Sequence, residues 1–277
     1  MDFVGNTPMV ELWSRVYAKL EMKNPSASVK DRAAKAILGN ANLPQGSRIV
    51  EATSGNFGIS LAFMSAVMGY SLTVVMPESA SAERERIIKL YGGRVVRVRG
   101  DMSVARDAAR QIAMEENAFM PDQFSNPANP LAHYSTTAPE ILRDIGSVDI
   151  FVSGVGSGGS ITGVARYLKE RTPNTRIVAV YPSQGSMIEG IGAGFVPPIF
   201  DSNLACEDIF VSFNEAVYYS RLLAREYGIM AGISSGAAAF AARIISNRPE
   251  NRGKTIVTLL PDGGDRYYST PLFDRET

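Results

Sequence analysis

Phe151-Val152-Ser153-Gly154-Val155-Gly156-Ser157-Gly158-Gly159-Ser160 reads as a short apolar strand, a glycine loop and the start of a helix in immediate succession. That order is the building unit of an α/β fold, in which a buried strand delivers its loop to the N-terminus of the next helix. Glycines let the backbone approach an anion closely, and the free N–H groups of a helix start favour negative charge. Ser157 and Ser160 add hydroxyl donors, so the stretch predicts a phosphate cup. Gly154, Gly156 and Gly159 also satisfy the G-x-G-x-x-G spacing of dinucleotide-binding units. Such a unit needs an acidic residue at the end of the next strand to hold a ribose. Here Arg176-Ile177-Val178-Ala179-Val180-Tyr181 runs into Pro182-Ser183 without an acid, which favours a lone phosphate over a dinucleotide. A glycine turn that binds nothing is the third reading.

Outward from the cup the same alternation continues in both directions. Residues 16–21 alternate like a strand, and 48–51, 72–76 and 94–98 are short strand-like runs. Between them lie helical patterns: one opening at about Asp31, one over 59–68 that stops at Gly69, one over 82–91 and one over 103–117. Asn126-Pro127-Ala128-Asn129-Pro130 reads as a loop, and a helix over 138–145 and a strand over 149–152 then lead into the cup. Beyond it come the strand at 176–181, a long Gly/Pro-bearing loop to Asn203, and Ser212-Phe213-Asn214-Glu215, whose capping-box spacing opens a helix to Tyr227. A helix over 235–246, a strand over 255–260 and the turn Pro261-Asp262-Gly263-Gly264-Asp265 complete the pattern. Such alternation predicts an α/β fold with mostly parallel, twisted sheets covered by helices on both faces. The length of 277 residues suggests two units at roughly 150 residues per domain. No repeat or linker separates them, so the expectation is two three-layer α/β/α units sharing a broad interface.

Composition narrows the function classes. Apolar residues make up 45% and charged residues 20%, the balance of an ordinary globular chain with ample core. Twenty-eight basic residues offset 28 acidic ones, so no nucleic-acid or membrane-surface partner is expected. Cys206 is the only cysteine, which excludes an internal disulfide framework, and a single histidine, His133, argues against a histidine-rich metal site. The most apolar run, 59–68, is half the length needed to cross a bilayer. Met1-Asp2-Phe3-Val4-Gly5-Asn6 has no signal-peptide pattern, and the chain reads as cytoplasmic.

The chemistry is organised around Asn24-Pro25-Ser26-Ala27-Ser28-Val29-Lys30-Asp31-Arg32. Pro25 and the small residues after it make an irregular approach to an alanine-rich helix, so Lys30 sits at a loop-to-helix junction. There the positive helix end and the neighbouring Arg32 disfavour its protonated form. Such an amine can attack an aldehyde and form a Schiff base. Read alone, the same residue is a solvated lysine in an ordinary first turn.

This stretch, Thr53-Ser54-Gly55-Asn56, Gln123-Phe124-Ser125-Asn126-Pro127, the glycine cup, Gly232-Ile233-Ser234-Ser235-Gly236 and Asp265-Arg266-Tyr267-Tyr268-Ser269-Thr270 form an ordered set. From Gly5 to about Thr270 the chain resembles cysteine synthase (O-acetylserine sulfhydrylase), of the tryptophan-synthase-β-like class of pyridoxal-phosphate enzymes, PLP fold type II. The resemblance implies that Lys30 carries pyridoxal 5′-phosphate as a Schiff base and that Asn56 bonds the pyridoxal 3′-oxygen. Gly156, Ser157, Gly158, Gly159 and Ser160 would hold the phosphate, and Thr53, Ser54, Gly55, Asn56 and Gln123 would clamp the substrate carboxylate. Without the resemblance, Thr53 to Asn56 is a polar turn capping a helix and Gln123 a loop residue. It also implies a larger cofactor-binding domain, 1–30 with 134–277, a smaller mobile domain, 31–133, and a homodimer that serine acetyltransferase could dock. The implied reaction replaces the acetoxy group of O-acetyl-L-serine by sulfide or thiosulfate via α-aminoacrylate, with Lys30 as base and acid.

Asp262 stands where the family places the group facing the pyridine nitrogen, and resembles the B isozyme there; residues 190–195 resemble the A isozyme. Read alone, Pro-Asp-Gly-Gly is turn chemistry. Phe57 replaces the usual threonine beside the clamp, Ala138 replaces a glycine, and the leading helix is missing. His133 is expected to pack or hydrogen-bond, and Cys206 not to act as a nucleophile. No basic residue occurs between Arg176 and Arg221, which favours O-acetylserine over O-phosphoserine. The rival readings are O-phosphoserine sulfhydrylase, cystathionine β-synthase, a serine/threonine dehydratase, or a non-catalytic partner of serine acetyltransferase.

Overall fold

The computed structural model describes residues 3–192 and 194–274; Met1, Asp2 and Ala193, on which the N-terminal and 190–195 expectations partly fall, lie outside them. Short strands rich in Val and Ile form two sheets. The larger contains β1 (Met9–Trp13), β2 (Val16–Leu20), β6 (Ile150–Gly154), β7 (Arg176–Pro182), β8 (Glu207–Val211) and β9 (Ile256–Leu260), in the order β1-β2-β9-β6-β7-β8. The smaller contains β3 (Arg48–Ala52), β4 (Ser71–Pro77) and β5 (Arg94–Val98) in chain order. Among the strands of the described residues only the β1–β2 pair is antiparallel.

Each sheet is covered on both faces, as its apolar strands require. On the larger sheet, Phe151, Ile177, Ala179 and Val257 pack with α6 (Ala138–Ile145) and α7 (Gly159–Arg171). The alternate residues Ile150, Val152, Val178 and Val180 pack with α8 (Phe213–Tyr227) and α9 (Ile233–Ser246), whose alanines allow close approach. On the smaller sheet, Ile49, Leu72, Val74 and Met76 meet α1 (Lys30–Asn40), α2 (Asn56–Met68) and α3 (Ala82–Leu90). Val50, Ala52 and Val75 meet Ala105, Ala109 and Ala113 of α4 (Met102–Glu116). The expected three-layer α/β/α organisation is therefore present. Ser212 and Glu215 close the capping box at the start of α8, and Gly69, at φ +72°, ends α2.

Several boundaries move. The stretch 126–130 is not a loop: α5 (Ala128–Ala132) begins there and continues through a single π-turn, His133–Thr137, into α6. Pro127 caps that helix and Pro130 lies in its first turn, where the missing N–H would have had no helical partner. Helices α2 and α9 start earlier than their apolar patterns suggest, at Asn56 and Ile233, so the polar motif residues form their first turns. Strands β1 and β8 are additional to the strands expected from the sequence.

One buried ion cluster fixes α1 to the larger sheet. Arg32 binds Glu21 through Nε (2.7 Å) and Nη2 (2.8 Å), and Glu140 of α6 through Nη1 (2.7 Å) and Nη2 (2.8 Å). Lys19 of β2 completes it, 2.9 Å from Glu140. Burial pushes the Glu21 carboxyl up, but the Arg32 guanidinium outweighs it and holds the group below its ordinary value. Glu140 is brought down to about 2 in the same way. Both carboxyls are depressed, so their stabilisation is present above the ordinary carboxylate value of 4.5 and is lost as the pH falls through the lowered values, about 2 for Glu140. Arg32→Ala leaves Glu21 buried without its counter-ion, and is expected to lower unfolding free energy in urea by about 3–5 kcal/mol.

Candidate active site

The C-terminal ends of parallel strands from both sheets open onto one cleft of about 580 Å³, in part open to solvent. Its lining includes Gly154 at the end of β6, Pro261 just after β9, and Asn56 just beyond β3. This is where a parallel α/β sheet presents helix N-termini and loop N–H groups to a ligand.

The glycine stretch supplies one wall. Gly158, at φ +82°, is the left-handed residue that turns the chain into α7. A Cβ on Gly156 would stand 2.1 Å from the Gly190 carbonyl oxygen, so only glycine lets the loop at Gly190 close over the cup. Ser157 and Ser160 line the cleft beside Gly156 and Gly158, while Gly159 opens the helix behind them. Behind the cup, His133 bonds Ser160 through Nε2 (3.1 Å) and Thr137 through Nδ1 (2.9 Å). Burial, then the Arg32 charge, pushes the imidazole down to about 3, so it is neutral. His133 is thus the hydrogen-bonding residue that was expected.

Lys30 is the first residue of α1 and projects across the cleft, its Nζ donating to Ser157 Oγ at 3.2 Å. Burial lowers its amine to about 8. The cause differs from the expected one: Arg32 is turned away from the amine and committed to Glu21 and Glu140. Asn129 Nδ2 donates both to Ser157 Oγ (3.2 Å) and to the Gln123 carbonyl (2.8 Å), joining the Gln123 loop to the cup. Asn129 went unrecognised in the sequence because its segment reads as a loop.

Opposite the cup, Asn56 Nδ2 donates to Asp262 Oδ2 at 2.7 Å, and Arg266 Nη1 donates to Asn56 Oδ1 at 2.8 Å. The arginine thus fixes which way the amide faces, and leaves the second Nδ2 hydrogen uncommitted by that pair. Tyr267 also donates to Asp262 Oδ2 (2.7 Å), whereas Asp262 Oδ1 is buried without a hydrogen-bond partner. Burial raises the Asp262 carboxyl, against the opposing pull of Arg266, Tyr267 and Asn56. Asp262 does not itself line the cleft, nor do Thr53, Ser54, Gly55 and Gln123. Thr53 to Gly55 form the turn between β3 and α2, and Gln123 is buried next to Phe124. The ring of Phe57 is 1% exposed in the core of the smaller sheet, so the residue that replaces threonine fills the interior and not the cleft. Among the described residues lining the cleft, Lys30 is the only basic one.

A pyridoxal-phosphate-dependent enzyme family matches residues 1–262. The chain belongs to that family. It is 42% identical to cysteine synthase 3 of Caenorhabditis elegans over 98% of this chain and 88% of the relative. Among solved structures it is similar to an O-ureido-L-serine synthase (TM-score 0.95, 38% identity, covering 100% of this chain and 96% of the other). It is likewise similar to a cysteine synthase of Entamoeba histolytica (TM-score 0.93, 38% identity, covering 100% and 91%). As a member of this family the protein uses pyridoxal phosphate, and its residues fit that group: a glycine cradle closed too tightly for side chains, a depressed lysine amine and an orphaned buried carboxylate oxygen.

The depressed amine has a measurable consequence. Only neutral Lys30 is nucleophilic, so covalent capture of pyridoxal phosphate by the apoprotein should accelerate with a midpoint near pH 8, not near 10.5. Borohydride trapping at a series of pH values, followed by peptide mapping to Lys30, measures this.

Proposed function

We propose that the protein is a cysteine synthase that replaces the acetoxy group on Cβ of O-acetyl-L-serine by sulfide or thiosulfate. The observation that carries this reading is Lys30: a buried, easily deprotonated amine at a helix start, hydrogen-bonded to Ser157 of the glycine cup. Bound pyridoxal phosphate supplies an electron-withdrawing ring that makes the substrate Cα–H acidic and its Cβ substituent a leaving group. Gly156, Ser157, Gly158, Gly159 and Ser160 would hold its phosphate, Asn56 would bond its 3′-oxygen, and Asp262, through its unpartnered Oδ1, would serve its ring nitrogen. Asn56, which lines the cleft, together with Thr53, Ser54, Gly55 and Gln123, which do not line it here, would orient the substrate carboxylate. Lys30 takes the proton from Cα and later returns it, so one amine serves as base and acid and no histidine is required.

The acetyl ester is preferred over a phosphate ester on charge. Arg84, of α3, is paired with Glu189 at 2.5 Å and stacked 5.1 Å over the Tyr267 ring, so it is committed elsewhere. The working unit is read as a cytoplasmic homodimer that can dock serine acetyltransferase, in which residues 31–133 move as a smaller domain against 1–30 and 134–277. Among the described residues no helix is long and apolar enough to cross a membrane.

Purified holoprotein is expected to form cysteine from O-acetylserine and sulfide, and Lys30→Ala to lose that activity by at least about 10³-fold, as for a group that serves as base and covalent partner. Faster turnover of O-phosphoserine than of O-acetylserine would overturn the substrate assignment. For Asp262, the expected result of Asp262→Ser is a shifted cofactor spectrum and slower turnover; an enzyme unchanged in both respects removes its assigned role.

A further inference from the structure

Glu51 lies in β3, two residues before Thr53, and is only 3% exposed. Its carboxyl accepts the backbone N–H of Asp122 at 2.9 Å and of Gln123 at 3.4 Å. The two N–H groups converge because Asp122 has a left-handed backbone, φ +46°. That geometry turns successive N–H groups to one side, and aspartate adopts it more readily than most non-glycine residues. Just upstream the chain pairs with β3 in the ordinary way: Phe119 N–H donates to Arg48 O (2.9 Å), and Val50 N–H to Phe119 O (3.0 Å). Where that pairing ends, the Glu51 side chain takes over.

Burial raises the Glu51 carboxyl to about 8, and the Asp122 and Gln123 N–H groups pull it down only in part. The charged groups around it are Asp122 on the loop and Arg106 and Arg110 of α4, which share a pocket of about 300 Å³ with it. A residue kept here for packing alone would be apolar and would avoid the cost of burying a carboxyl. What the carboxyl provides is a fixed distance between the end of β3 and the loop that begins at Asp122.

We propose that Glu51 is a positioning residue for substrate, holding Gln123 in register with Thr53 and so setting the spacing of the carboxylate clamp. The proposal rests on the reading of Thr53 and Gln123 as that clamp. Glu51 touches neither substrate nor cofactor; it acts through the backbone of Asp122 and Gln123.

The test titrates wild-type, Glu51→Gln and Glu51→Ala holoenzymes with L-serine and with L-serine methyl ester, following the cofactor absorbance. Glu51→Ala loses both acceptors and should weaken L-serine binding by about tenfold; Glu51→Gln keeps one amide oxygen and should weaken it by about threefold. Neither should change binding of the methyl ester, which carries no carboxylate, and kcat with saturating O-acetylserine should fall less than twofold. L-serine affinities equal to wild type in the Gln variant, or an equal loss for L-serine and its ester, overturn the proposal; the near-isosteric Gln variant decides if the Ala variant fails to fold. A wild-type enzyme whose absorbance does not respond to L-serine overturns the clamp itself, and the proposal with it.

Discussion

The buried guanidinium of Arg32, forked between Glu21 and Glu140, is the constraint on which the rest of the structure depends. Helix α1 packs its apolar face into the core of the smaller sheet, yet its first residue must reach a cup built on the larger one. Apolar packing is non-directional and cannot alone set that relation. An arginine with hydrogen bonds to two carboxylates can, because its donors lie in a rigid plane. The desolvation of these ions costs several kcal/mol each, and the good geometry around Arg32 offsets it. Thr136 takes the fifth guanidinium hydrogen, and Thr7 donates to Glu21 while sharing an Nη2 hydrogen, so the cluster is well satisfied. The result is a helix start that holds Lys30 toward Ser157.

Burial is also the leading influence on the titratable groups around the cleft, with outcomes that differ by partner. Lys30 has a hydroxyl beside it and no carboxylate among the causes of its shift, so its amine comes down toward neutrality. His133 lies between two hydroxyls with the Arg32 charge close by, and stays neutral. Asp262 keeps donors on one oxygen only, and burial prevails over Arg266 in raising it. The same desolvation thus yields an amine ready to accept or give a proton, a fixed neutral spacer and a carboxyl poised for a positive partner.

Much of this was legible in the sequence. The glycine cup, the Ser212 capping box and the stop at Gly69 are local signals, set within a few residues by backbone sterics and helix-end hydrogen bonding. The alternation of strands and helices was equally legible, because buried parallel strands demand runs of Val and Ile. The failures have a common cause. Asn126 to Pro130 looks like a loop because prolines cluster there, although proline is tolerated in a first helical turn. Glu51 and Asp122 are 71 residues apart, and Arg32 and Glu140 are 108 apart, so no local pattern announces either pair.

The chain's own order of residues determined the α/β class, the position of the glycine cup, the lysine at a helix start and the family to which they belong. The first three follow from periodicity and turn chemistry, which act over short stretches, and the family from the resemblance of the ordered motifs to a known pattern. Only the tertiary structure decided that Arg32 serves the core and not the Lys30 amine, that Phe57 points into the interior, and that Glu51 meets the Gln123 loop. Those outcomes depend on which surfaces lose water together and which distant charges then face each other, and both are settled only once the chain has folded.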